Sequence, residues 1–395
     1  MVFSLSSHNV WQYLQARNIC SSTEISPSAI KPKDCKNFNL LVSFSDNCHY
    51  LVKQECWDTQ GKTKGEFQQE WLIQRLVRHF PQLNCLQNVI SEAIDYDRDN
   101  SIIVFNYLNN YCDLANFYDQ HQIFPTAIAT ALGETLATIH RLTFKQNNYR
   151  DFLAKDSNYN LQKQPNLLKY LSRIKPELIG KVGEDAFKFY RLYQREVVIG
   201  EAIAQLEKKW LPCCLTHRDF RLANILVSLS CQAALNEAEL ISLSKRKDEA
   251  IIRIIDWERF SWGDPAFDLG TIIANYLKLW LGSLIVGTDI DIRTTLSLAT
   301  TPLAFIQPSL VALTNSYLAA FPEITHHNSD FLTKAIQFAG YHLIELILAK
   351  IEYREPFDNT GICLLQIAKM LLCHPQESMM TVFGQEMNNE ELART

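Results

Sequence analysis

An aspartate and an asparagine stand five residues apart in Leu215-Thr-His-Arg-Asp-Phe-Arg-Leu-Ala-Asn-Ile-Leu226, and a second aspartate ends the apolar run Ile251-Ile-Arg-Ile-Ile-Asp256. Phosphoryl transfer from a nucleotide asks for such a set: one carboxylate to orient an attacking hydroxyl, and an amide and another carboxylate to hold the magnesium that spans the phosphates. Asp219 is the candidate for the first role, because the segment around it is too broken for a helix and lets Asp219 and Asn224 project from one loop. Taken alone, an aspartate in such a place is most often a turn residue capping backbone amides. Asn224 and Asp256 supply hard oxygen, which suits magnesium. A carboxylate at the end of a buried strand is costly unless a cation neutralises it, which also favours a metal. Arg221, two residues after Asp219, is either a clamp for charge developing on the transferred phosphoryl group or a solvated arginine. His217 reads as structural, packed inward with its imidazole on backbone carbonyls.

These residues need a frame. Asp264, in Trp262-Gly-Asp-Pro-Ala-Phe-Asp-Leu269, is placed to cap a following helix with Pro265 in its first turn. Asp268 is placed to tie the amides of the Asp219 loop from behind. Toward the N-terminus, Lys53 shares a strand face with Leu51 and so can point into a cleft. Glu70 borders the apolar stripe of a helix. The two are expected to pair, leaving the lysine in reach of nucleotide phosphates, although exposed lysines and glutamates are common. No G-x-G-x-x-G occurs, and the turn Ser45-Asp-Asn-Cys48 contains no glycine. A phosphate cover would have to use Ser45 or the backbone amides of that turn.

Around these residues the pattern predicts a helical opening over 10–15, a hairpin of strands 38–44 and 49–55, and a helix over 66–80. Strands over 88–96 and 101–108 follow, and after them mostly helix, interrupted by short strands near 215, 225 and 252. This is an α+β chain in two lobes: a small antiparallel sheet lobe over 1–108 and a larger, mostly helical lobe over 109–395. Residues 228–250 look like an insertion between two strands, and the polar stretch from Gln385 looks frayed.

Composition narrows the partners. Of 395 residues 47% are apolar, and a net charge of −5 without a basic stripe disfavours a nucleic acid. Eleven cysteines, an odd number without C-x-x-C spacing, argue against zinc or a disulfide framework and for buried thiols in a reducing cytosol. No leader pattern opens the chain, and no window reaches the roughly eighteen apolar residues of a membrane span, so a soluble cytoplasmic protein without a membrane partner is expected. Nothing in the pattern speaks to oligomeric state.

The motifs resemble those of the aminoglycoside phosphotransferase and choline kinase superfamily, a branch of the protein-kinase-like fold. In order they are Val52-Lys53, Glu70, Leu132-Gly-Glu-Thr-Leu-Ala-Thr-Ile-His140, His217 to Leu226, Ile255-Asp-Trp-Glu258 and Gly263 to Leu269. The resemblance spans roughly residues 35 to 375, and its last three motifs together are far more specific than any one of them. It implies that Asp219 is the catalytic aspartate, that Asn224 and Asp256 are the magnesium ligands, and that Lys53 with Glu70 anchors phosphate. It also implies that Phe105-Asn106-Tyr107-Leu108 is the hinge offering backbone groups to adenine, with Glu258, Asp264, Asp268 and His217 as supports. The chain departs from the family's pattern at Arg218, where glycine is usual, at Leu222-Ala223, where Pro-Gly is usual, and in the longer link from Asn224 to Asp256. Protein kinases are less similar, since Asp-Phe-Gly and Ala-Pro-Glu are missing.

The resulting expectation is transfer of the γ-phosphoryl group of ATP, or of GTP, with Mg2+, to a hydroxyl of a small molecule such as an aminoglycoside or an amino alcohol. Acidic residues in 338–352, with Tyr341, His342, Glu345 and Glu352, would favour a cationic acceptor. The alternatives are a catalytically silent nucleotide-binding protein, suggested by the absent glycines, and a phosphohydrolase using water.

Overall fold

The structure is a computed structural model that describes residues 3–20, 29–33, 37–45, 48–156, 167, 171, 183–233, 250–285, 294, 298–353 and 355–384. Most of the expected insertion (234–249), the turn at 46–47 and the tail from 385 lie outside the described residues.

Five strands form one antiparallel sheet: β1 (Ala29–Lys33), β2 (Phe38–Ser45), β3 (Cys48–Gln54), β4 (Ala93–Asp97) and β5 (Ile102–Asn106), in the order β1-β2-β3-β5-β4. Alternation along the strands divides their apolar residues between two faces. Leu40, Val42, Val52, Ile102 and Val104 pack under Val10, Tyr13 and Leu14 of the helix Val10–Ala16. Leu51, Ala93, Ile103 and Phe105 pack under Phe67 and Trp71 of the helix Glu66–His79. Burying each such aliphatic or aromatic side chain contributes about 1.5–3 kcal/mol. Lys53 is in step with Leu51 and so lies on the face covered by the helix that carries Glu70. Strand β1 was not expected, because Pro32 sits in its middle; as an edge strand paired only with β2 it tolerates the missing donor.

Helices make up most of the remainder, giving the two-lobed α+β layout that the sequence implies. Thr126–Thr143 packs along Leu303–Ala320, and Pro265–Gly282 packs along Phe331–Glu352, which in turn lies on Asn359–Cys373. Two glycines permit the closest approaches: a Cβ at Gly133 would stand 2.3 Å from the Leu313 carbonyl oxygen, and one at Gly270 would stand 2.5 Å from that of Ala335. The helix Leu303–Ala320 is long and apolar enough by length and composition to cross a membrane, against the expectation that no window would be; 33% of it is buried, against Thr126–Thr143. Cys56 and Cys85 are exposed where buried thiols were expected.

Five short strands frame the centre. β6 (Tyr111–Asp113), β8 (Ile225–Ser228) and β9 (Ile252–Ile254) form one antiparallel sheet in the order β6-β8-β9, and β7 (Cys214–Thr216) pairs with β10 (Ser261–Gly263). Strands β6 and β10 were not expected, whereas the equally short β7 and β9 were.

Candidate active site

Strands β8 and β9 run antiparallel with Ile225 opposite Ile254. The residue before β8, Asn224, is therefore brought to the end of β9 where Asp256 follows, and the Ile255 amide donates to the Asn224 carbonyl at 3.0 Å. The other edge of β9 is held by the small lobe. The Ile254 amide donates to the Val89 carbonyl at 2.7 Å, and the Ser91 amide donates to the Ile254 carbonyl at 3.3 Å. Asp256 itself turns out of the strand at φ +60°, a left-handed conformation that aspartate tolerates better than bulkier residues. Trp257, fully buried, locks this corner by donating from Nε1 to the Ile254 carbonyl at 3.1 Å.

The Asp219 loop leaves β7 and is fastened from behind. Asp268, wholly buried in the first turn of Pro265–Gly282, accepts from the His217 amide at 2.6 Å and the Arg218 amide at 2.9 Å, and His140 Nε2 lies 3.3 Å away. Burial alone would raise the Asp268 pKa, but His140 and the loop amide outweigh it and hold the carboxyl below its ordinary range. His140 is held in turn by the Tyr317 hydroxyl at 2.9 Å. These contacts draw the chain through Arg218 at φ +67°. The His217 imidazole, driven toward its neutral form by burial, lies 2.9 Å from the Ile255 carbonyl through Nε2 and accepts from the Asp219 amide through Nδ1 at 3.2 Å. A ring protonated on Nε2 alone satisfies both bonds, and the imidazole thereby couples the loop to the strand carrying Asp256. Asn224 closes the loop by donating from Nδ2 to the Asp219 carbonyl at 2.9 Å. Its side-chain oxygen is what remains for a cation.

Asp264 caps its helix as expected, with the Ala266 amide at 3.1 Å, and also accepts from the Leu211 amide at 2.9 Å. It forms a buried ion pair with Lys334 at 2.7 Å, a partner that the sequence did not suggest.

The opposite side of the loop is held by cations. Asp219 is 7% exposed, and Arg221 grips both of its carboxylate oxygens, Nε to Oδ1 at 2.7 Å and Nη2 to Oδ2 at 2.9 Å. Arg259, not singled out in the sequence although it directly follows Glu258, stands 3.9 Å from the same carboxylate.

Lys53 does not pair with Glu70. Its ammonium lies 2.6 Å from Asp256 Oδ1 and over the Phe105 ring at 5.2 Å from the centroid. The carboxylate nearest to the lysine wins, and Asp256 is the one that the β9 corner delivers there. Burial would lower the Lys53 pKa, but Asp256 and then Glu70 outweigh it and raise it. Asp256 is pushed up by burial and pulled further down by Lys53, so it is held as carboxylate. Glu70 is left without an ion-pair partner, and its Oε1 is buried without a hydrogen bond. Burial first, and then the Asp256 charge, raises its pKa to about 8. Glu258 adds negative charge near both Lys53 and Glu70.

A magnesium ion fits the chemistry of these donors. Among the described residues no cluster of three carboxylate, histidine or cysteine side chains forms a ready cage. The Asp256 carboxylate and the Asn224 amide oxygen are the donors that would hold it, few and hard as magnesium prefers.

Along the expected hinge, Phe105 belongs to β5 and is buried, while the Asn106 and Tyr107 amides already donate to the Glu92 carbonyl at 3.0 Å and the His49 carbonyl at 2.9 Å. The Leu108 carbonyl accepts from the Tyr111 amide at 3.3 Å. Ser45 ends β2 opposite Cys48, beside an irregularity in register. In the helix Phe331–Glu352, Glu345 accepts from the Tyr341 hydroxyl at 3.1 Å and lies 3.1 Å from His342 Nδ1, so this acidic residue is internally engaged.

Comparison with known proteins bears on this arrangement. Residues 66–234 match the family model described as the phosphotransferase enzyme family, a stretch that takes in Glu70 and the loop from His217 to Asn224 and ends before Asp256. No curated protein sequence matches the chain. Solved structures similar to it include choline kinase LicA from Streptococcus pneumoniae, at 13% identity and a TM-score of 0.47 over 92% of this chain and 98% of that one. Another is a choline kinase from Cryptosporidium parvum Iowa II, at 12% identity and 0.49 over 96% and 98%. A third is the ADP-bound aminoglycoside phosphotransferase APH(2'')-Ib, at 14% identity and 0.49 over 93% and 99%. Over residues 66–234, less than half of the chain, the sequence is similar to the phosphotransferase enzyme family.

Proposed function

We propose that this protein transfers the γ-phosphoryl group of a nucleoside triphosphate, ATP in preference to GTP, to a hydroxyl of a small molecule in the cytoplasm. The observation that carries the reading is the convergence of Asp219, Asn224 and Asp256, from two separate segments, on one corner joined by the Ile255–Asn224 bond and by His217. Magnesium bound at Asn224 and Asp256 would supply charge neutralisation for the phosphates. Lys53, beside Asp256, would hold phosphate oxygens, with Glu70 behind it. Asp219 would orient the acceptor hydroxyl. As the hydroxyl oxygen bonds to the γ-phosphorus, the bond to the bridging oxygen of the departing diphosphate breaks and the hydroxyl proton passes to Asp219. The loop amides held by Asp268 keep Asp219 in register, and such positioning supplies most of the acceleration in this chemistry. Backbone groups in 105–108 and Ser45 are the proposed contacts for adenine and phosphate.

The test is nucleotide consumption across a panel of hydroxyl compounds with the parent chain and Asp219→Asn. Acceptor-dependent turnover that falls by about 10²–10⁴ in the variant is expected. Nucleotide binding without turnover for any acceptor would favour the silent nucleotide-binding alternative, and turnover indifferent to acceptor would favour hydrolysis.

A further inference from the structure

One residue separates His217 from Asp219, and both its backbone and its side chain are made fast. Arg218 stands at φ +67°, a left-handed conformation that a long side chain keeps only where its surroundings impose it. Its amide donates to Asp268 Oδ1 at 2.9 Å. Its guanidinium carbon lies 4.6 Å from the centroid of the Phe267 ring and 5.1 Å from that of the Trp210 ring. Two consecutive residues of one helical turn, Phe267 and Asp268, therefore hold the side chain and the backbone of the same arginine. The rings are themselves fixed. Trp210 and Phe267 meet edge to face with centroids 6.0 Å apart, and they pack on Phe338 of the helix Phe331–Glu352 at 5.8 Å and 5.4 Å. Phe267 and Phe338 are buried, and the residue after Trp210 is pinned where the Leu211 amide donates to Asp264. A planar guanidinium is attracted to the faces of such rings and lies flat on them, which a lysine ammonium does less well.

Resting on the phosphotransfer reading above, we propose that Arg218 is a positioning residue: stacked on Trp210 and Phe267, it pins the loop one residue before Asp219 and so fixes where that carboxylate meets the acceptor hydroxyl. The cations on the other side of Asp219 are poor candidates for this task, since Arg221 and Arg259 are 48% and 57% exposed and come to the carboxylate from solvent. Glycine at 218 would adopt the same φ without strain, but it would also open other backbone regions to the loop and lose both ring contacts. Asp219 would then spend part of its time out of line with the hydroxyl, at a cost in turnover rather than in nucleotide binding.

The experiment compares the full chain with Arg218→Gly, Arg218→Lys and Trp210→Leu in two readouts. One is kcat and KM for ATP with Mg2+ on an acceptor found in the hydroxyl panel, counted per molecule of nucleotide-binding protein; the other is deuterium uptake by the amides of 217–221. For Arg218→Gly, kcat is expected to fall by about 10–100-fold while KM for ATP stays within about twofold of the parent. The 217–221 amides should exchange faster while those of β9 keep the parent's rate. Arg218→Lys, which keeps the cation, should recover part of the loss. Trp210→Leu, which leaves the loop's own sequence intact, should lose less in the same direction, and adding it to Arg218→Gly should change little further, the contact being already gone. Free methylguanidinium should not restore Arg218→Gly, because the tether and not the charge is what is missing. An unchanged kcat in either Arg218→Gly or Trp210→Leu, unchanged exchange at 217–221, or restoration by methylguanidinium would overturn the proposal and leave phosphotransfer intact. If Arg218→Gly does not fold, Trp210→Leu decides the matter alone. No acceptor-dependent turnover by the parent, with nucleotide bound, would overturn the phosphotransfer reading and this role with it.

Discussion

The two sides of the Asp219 loop hold buried carboxylates of opposite character. Behind the loop, Asp268 and Asp264 are saturated: each accepts two backbone amides, and each has a side-chain partner, His140 or Lys334, that is itself almost wholly buried. In front of it, Asp219 is held only by guanidiniums that reach in from solvent, Asp256 by a single lysine, and Glu70 keeps an oxygen with no hydrogen bond. A carboxylate held by backbone amides and a buried side chain can only build. One whose partners are exchangeable can trade them for a metal, a phosphate or a hydroxyl, and the cost of leaving it under-satisfied is borne by the scaffold behind.

Stability measurements can break that contrast. The largest effect is expected for Lys334→Met, which strands the buried Asp264 charge and should cost about 3–5 kcal/mol in denaturant unfolding; adding Asp264→Asn should recover much of the loss. Glu70 comes next. Its ordinary pKa is 4.5, and in the folded chain it rises to about 8. Between those values the folded state holds a proton that the unfolded state has released, so stability should fall as pH rises from about 4.5 to about 8 and then level off. Glu70→Gln should lack this decline and melt above the parent at pH 8, with the gap closing toward pH 5; parallel melting curves would show that Glu70 is satisfied after all. Arg17, paired with Asp95 on the surface at 2.7 Å and 36% exposed, should cost no more than about 1 kcal/mol on conversion to alanine. Smallest of all should be Asp219→Asn, which removes the charge proposed to react yet should leave unfolding within about 0.5 kcal/mol of the parent. A loss there as large as that of Lys334→Met would put Asp219 among the structural carboxylates.

Much of this was legible in the sequence, and what was not has physical reasons. Alternation in 38–55 and the three-and-four spacing in 66–80 located the sheet and the helix that packs on it, because each element buries one face. The capping role of Asp264 and the tying role of Asp268 followed from Gly-Asp-Pro and from spacing. The Lys53–Glu70 pair did not hold. Sequence tells which residues share a face, but the competition between Glu70 and Asp256 for one ammonium is decided by the β9 corner, over 200 positions downstream. Lys334 and Arg259 were invisible for the same reason, since each gains its meaning from a chain segment far away. Pro32 concealed an edge strand.

The tethering of β9 along both edges has a kinetic consequence. Its last residue, Ile254, pairs with Ile225 on one side and bridges Ile90 on the other. Its amide proton can therefore reach solvent only when the small lobe's connection peels from the strand, and it should rank among the slowest-exchanging sites in the molecule.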